Sequence, residues 1–125
     1  MPTLITCLSS GKGTWSEVIK VIKSQNWDKV FLIANDFSKE NFNQKNENYH
    51  FVLINPFEEV NSMKNKIVNE LKDKIKDFEV ALNFVSGSGK EHMALMEAVL
   101  ELGLNFRLIS LNHGEVETLG ISPNF

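Results

Sequence analysis

Ser86-Gly87-Ser88-Gly89-Lys90 gathers two glycines, two hydroxyls and a cation within five residues. Gly87 and Gly89 lack a Cβ and tolerate positive φ, so an oxyanion can approach the main chain closely there. The hydroxyls of Ser86 and Ser88 can donate to that oxyanion, and Lys90 adds a full positive charge. A second cluster of the same kind, Ser9-Ser10-Gly11-Lys12-Gly13-Thr14, lies near the start of the chain. The chemistry that suits both is the binding of a phosphate or carboxylate. The plain alternative for each is a tight turn whose lysine lies in water. The Ser86–Lys90 cluster is not a P-loop, because the first glycine of that motif would fall at Phe84 and Glu91 stands where Ser or Thr is needed.

The flanking residues say what must hold these turns. Val80 to Val85 is an apolar run of the length expected of a strand buried on both faces. His92 to Gly103 is dense in helix formers and closes on a glycine stop. Strand, glycine turn and helix in that order bring free backbone N–H groups and the positive end of a helix to one point. The first cluster repeats the plan: Thr3 to Leu8 reads as a strand, and Trp15, Val18, Ile19 and Ile22 recur at helical spacing to about Gln25. Thr14 or Ser10 is the expected cap of that helix.

Further strands are expected at Lys29–Ala34, His50–Asn55 and Leu104–Leu111, with a short edge strand within His113–Leu119. Phe37 to Asn48 is polar and reads as a short helix or a connection. After Pro56, the positions Val60, Met63, Ile67, Leu71, Ile75 and Phe78 form one helical stripe. In the helix after Lys90, Met93 to Leu102 leaves little polar face, which predicts a central helix or one covered by a second subunit. Strands alternating with helices predict an α/β fold of three layers, with a mainly parallel sheet of five or six strands in the order 3-2-1-4-5. That order sets strands one and four side by side where the winding reverses, and so brings the two turns to one crevice.

With 125 residues the chain is expected to form a single domain over residues 1–125. Net charge is −3, which argues against holding duplex nucleic acid by broad phosphate neutralisation. Cys7 is the one cysteine and cannot form an internal disulfide, so a reducing cytoplasm is expected. No stretch reaches the length of a membrane span, and Met1-Pro2-Thr3 does not begin a signal peptide. No His, Cys, Asp or Glu cluster has metal-ligand spacing, so no metal is expected. His92 could act as acid or base or simply cap its helix, and His113 follows the last long strand.

A first strand running into Leu8-Ser9-Ser10-Gly11, and a fourth running into Ser86-Gly87-Ser88-Gly89-Lys90 ahead of a Met/Ala/Leu-rich helix, resemble the CRISPR-associated Rossmann fold, or CARF, domain. That family's second motif typically reads Thr-Gly-Gly-Thr-Lys. Gly87 and Lys90 match it, while Ser86, Ser88 and Gly89 stand for the first Thr, the second Gly and the second Thr. The resemblance spans Thr3 to about Leu111. It implies a Rossmann-like α/β/α sandwich and a homodimer whose two crevices merge into one pocket for a cyclic oligoadenylate, the second messenger of type III CRISPR defence. Most members carry an effector domain, and none precedes the end at Phe125, so a stand-alone member similar to the ring nucleases is expected. The resemblance implies Ser10 (or its neighbour Ser9) and Lys90 as a catalytic pair. It implies Ser9, Gly11, Lys12, Ser86, Gly87, Ser88, Gly89 and His92 as ligand-binding residues, with no cofactor.

Three readings therefore stand side by side: a cyclic-oligoadenylate sensor without turnover, a metal-independent ring nuclease, and an ordinary mono- or dinucleotide binder. The third rests on Gly11-Lys12-Gly13-Thr14-Trp15-Ser16, in which Ser16 replaces the third glycine of G-x-G-x-x-G, and on Asp36 at the end of strand two.

Overall fold

In the computed structural model, the structure describes residues 2–8 and 11–119. The elements run β1 (Thr3–Cys7), a 3-10 turn (Lys12–Thr14), α1 (Trp15–Lys23), β2 (Lys29–Ala34), α2 (Asp36–Asn41) and β3 (Tyr49–Leu53). They continue with α3 (Val60–Leu71), β4 (Glu79–Asn83), α4 (Gly89–Glu101), β5 (Asn105–Asn112) and β6 (Glu115–Thr118). The sheet order is β3-β2-β1-β4-β5-β6. Every pairing is parallel except β5 with β6, a hairpin turned by His113 and Gly114, both at positive φ. The expected order 3-2-1-4-5 is therefore present, with the edge strand added beyond β5.

Side chains alternate across β1 and divide the core in two. Leu4 and Leu8 pack with Val18, Val21 and Ile22 of α1, together with Val30, Leu32 and Phe42. Ile5 and Cys7 face the other way, onto Met63, Ile67 and Leu71 of α3 and Ala94, Leu95 and Ala98 of α4. Both faces of β1 are thus closed, and all its described residues are buried, as a central parallel strand requires.

Several boundaries differ from the sequence expectation, each for a local reason. β4 stops at Asn83 and not Val85, because the Asn83 carboxamide oxygen accepts from the Val85 N–H at 3.2 Å and turns the chain out of the ladder. α4 begins at Gly89, three residues before His92, since Ser88 caps it. It ends as expected: Gly103 sits at φ 67, with Gly103 N–H donating to Leu100 O and Leu104 N–H to Val99 O. α3 ends at Leu71, so Phe78 does not continue its stripe and is 85% exposed.

Candidate functional site

The crevice lies where β1 and β4 pair in parallel, Thr3 beside Val80 through Thr6 beside Asn83, and the chain leaves each strand toward a helix. Asn83 pins this end of the sheet. Its amide donates to Ile109 O at 3.0 Å, and its carbonyl accepts from the Thr6 hydroxyl at 3.1 Å, tying β1, β4 and β5 together behind the turns.

The Ser86–Lys90 turn is built by sterics and by a reciprocal cap. Gly87 sits at φ 100, and a Cβ there would lie 2.8 Å from Cys7 Cβ and 3.1 Å from His92 Nε2. Only glycine fits. Gly89 does not share that role: it is the first residue of α4, and a Cβ would meet nothing within 4 Å. Ser88 Oγ accepts from the Glu91 N–H at 3.2 Å, while Glu91 Oε1 accepts from the Ser88 N–H at 2.8 Å. This capping box consumes the Ser88 N–H, one of the backbone donors the turn is expected to offer an anion, and the Glu91 N–H of the helix's first turn. The amides of Gly89 and Lys90, the first two of the helix, have no intrahelical acceptor and point out of its positive end.

Glu91 is the site residue the sequence reading missed. Ser88-Gly89-Lys90-Glu91 has the S-x-x-E spacing of a capping box, a signal that was legible. The carboxylate is buried beside Cys7. Burial, and secondarily the charge of Glu91, push the Cys7 thiol far above its ordinary range, so it packs as an apolar group.

The first turn faces the second. Thr14 stands at the expected N-cap of α1 but makes no side-chain cap; its hydroxyl instead donates to Ser86 Oγ at 2.7 Å. Ser86 is buried, and Gly11, Lys12 and Gly13 are exposed. Lys12 Nζ lies 5.8 Å from the Trp15 ring and 6.0 Å from the Phe37 ring, over a small aromatic shelf. Ser9 and Ser10 lie outside the described residues.

Lys90 is half-buried and its Nζ donates to Pro56 O, the loop after β3, at 3.4 Å. His92 is half-buried against the Phe84 ring, and its Nε2 lies 2.7 Å from Ser86 O. A carbonyl can only accept, so Nε2 carries a proton and Nδ1 is the nitrogen left for other partners. His113 is exposed at the tip of the β5–β6 hairpin. Among the described residues no three His, Cys, Asp or Glu side chains are grouped to hold a metal ion, and no helix is long and apolar enough to cross a membrane.

The two turns thus meet through the Thr14–Ser86 hydrogen bond, with Gly87, Ser88, Gly89 and Lys90 on one lip and Gly11 to Thr14 on the other. No protein-family model and no curated protein matches the sequence. Among solved structures, the chain is similar to Can2 from Sulfobacillus thermosulfidooxidans in complex with cyclic tetra-adenylate (cA4), with 17% identity and a TM-score of 0.66, over 96% of this chain and 37% of that one. It is also similar to Enterococcus italicus Csm6 bound to cyclic hexa-2'-fluoro-hexa-dAMP, with 18% identity and a TM-score of 0.60, over 90% of this chain and 33% of that one. Both are CARF-domain proteins, and the chain has their fold. It spans about a third of the length of each.

Proposed function

We propose that this chain, which has the fold of CARF-domain proteins, binds a cyclic oligoadenylate at the crevice between β1 and β4. The observation that carries the reading is the Thr14–Ser86 hydrogen bond of 2.7 Å, which joins the two glycine turns beside the start of α4. A ring phosphate seated there meets the Gly89 and Lys90 amides and the Lys90 ammonium. The Lys90–Pro56 contact at 3.4 Å is longer than an ordinary N–H···O bond, so exchanging it for a phosphate oxygen costs little.

A ring with repeated phosphates needs a second copy of the site, and a homodimer supplies it. The face of α4 supports this: Met93 is 57% exposed and Leu100, two turns on, is 59% exposed. Two apolar side chains stacked on one helix face favour burial against a partner.

Cleavage of the ring is the finer part of the proposal. The 2′-hydroxyl of one ribose attacks the adjacent phosphorus, the bond to the 5′-oxygen breaks, and the products are a 2′,3′-cyclic phosphate end and a 5′-hydroxyl. The proton leaves to solvent and the 5′-oxygen takes one up. Holding attack and departure in line lowers the barrier, and each well-placed donor to the growing negative charge contributes about 3 kcal/mol. Lys90 and the Gly89 and Lys90 amides fill that donor role, and the family resemblance pairs Lys90 with Ser10.

Titration calorimetry with cyclic tetra- and hexa-adenylate tests binding; absence of heat with both rings would overturn the reading. Incubation with the bound ring in EDTA, followed by chromatography, tests cleavage. Linear product is expected, and an intact ring leaves a sensor.

A further inference from the structure

A cavity of about 480 Å³ opens at the C-terminal ends of β2 and β3, beside the crevice. That volume lies within the range of small-molecule sites. Its lining combines an aromatic ring (Phe37), an aliphatic side chain (Leu53), a proline (Pro56), a carboxylate (Asp36) and a carboxamide (Asn55). Phe37 is 47% exposed and Leu53 40% exposed, so apolar surface is already turned toward water here. The Phe37 ring is held from behind by Trp15, at 6.4 Å between centroids, and Trp15 is braced by Phe42 at 5.7 Å. The Phe37 ring is thus backed by Trp15, with Lys12 Nζ 6.0 Å from its centroid.

Charge decides what kind of ligand the cavity accepts. Lys66, its one lining cation, is held by Glu58 at 2.9 Å. Asp36 is exposed and, among the described residues, has no ion-pair partner, so the wall offers a water-facing carboxylate as an acceptor. A phosphate is repelled by it. A neutral aromatic ring bearing an N–H donor is attracted. Pro56 lines this cavity and its carbonyl accepts from Lys90 Nζ at 3.4 Å, so cavity and anion lip are separated by a single residue.

We propose that this cavity is a base subsite: Phe37 stacks on an adenine of the ring, Asp36 accepts from its exocyclic amine, and the attached phosphate sits at Lys90. The inference rests on the proposed ligand being an oligoadenylate, and it assigns the β2 and β3 ends a selectivity role distinct from the phosphate grip.

The test is calorimetry with cyclic tetra- and hexa-adenylate and with matching rings built from purine riboside, which lacks the exocyclic amine. Wild type is expected to bind the amine-free ring about tenfold more weakly than the adenine ring, and Asp36→Ala is expected to erase that difference. Phe37→Ala is expected to weaken the adenine ring about tenfold or more, the scale of one base–aromatic stack. Circular dichroism of each variant checks that it folds. If wild type binds adenine and amine-free rings equally, or if either variant binds the two kinds of ring as wild type does, the subsite is overturned and the proposed function stands. If wild type binds no adenine ring, both fall together.

Discussion

Thr14 Oγ1 donates to Ser86 Oγ at 2.7 Å, and 72 residues of chain separate the two. A residue placed to cap its own helix has been diverted to join the turn after β1 to the turn after β4. Thr14→Val keeps the shape and removes the donor, which is expected to cost about 1 kcal/mol of stability. The same variant is expected to bind the ring more weakly, because the two lips lose their shared bond. Urea melts and calorimetry on one preparation read both effects, and unchanged binding would detach Thr14 from the site.

Gly87 is the least replaceable residue of the site. Gly87→Ala meets Cys7 Cβ at 2.8 Å at a φ of 100. We expect a loss of about 2 kcal/mol or more from backbone strain and overlap. Gly89→Ala, where a Cβ meets nothing, is expected to melt like wild type or slightly above it. The contrast between these two glycines in denaturant unfolding checks the turn geometry.

Lys90→Ala is expected to weaken ring binding by about 2 kcal/mol, roughly thirtyfold, as for the loss of one charge-assisted hydrogen bond. Stability should change little, since its protein partner is one long contact to Pro56. The affinity of wild type should also fall with added salt more steeply than that of the variant.

Glu58 organises the loop that carries Pro56. Burial pushes its carboxyl up, but hydrogen bonds from Lys66, Ser62 and the Asn55 N–H, together with the Lys66 charge, outweigh this and hold it below its ordinary 4.5. A lowered folded-state value contributes stability that is full above 4.5 and is lost as pH falls through the lowered value. Wild type should therefore lose more melting temperature than Glu58→Gln between pH 6 and pH 3. Parallel melting curves across that window would sink the assignment.

Leu100→Glu places a charge on the exposed face of α4. If that face joins two copies, sedimentation velocity will show wild type as a dimer and Leu100→Glu as a monomer. A monomeric wild type at the concentrations used for binding would remove the two-copy pocket from the proposal.

Much of the fold was legible in the residues. The alternation of apolar runs with helical stripes follows from local periodicity, and right-handed crossovers leave few orders for the strands, so the adjacency of β1 and β4 could be anticipated. The approach of the two glycine turns followed from that adjacency. Less of the site was readable. The S-x-x-E box at Ser88 and Glu91 was present as a pattern, yet its consequence, the Ser88 N–H withdrawn from the lip, depends on the side chains closing on each other.

By itself the sequence determined the alternation of strands with helices, the stop of α4 at Gly103, and that Lys90 stands close to the start of that helix. Those outcomes depend on neighbours a few residues apart, whose spacing is written in the chain. Only the tertiary structure decided that Gly87 packs on Cys7, that Thr14 turns to Ser86, that Lys90 leans to Pro56, and that Phe37 and Leu53 share one cavity. Each of those pairs is remote in sequence, and its geometry exists only once parallel strands bring their ends to the same edge of the sheet.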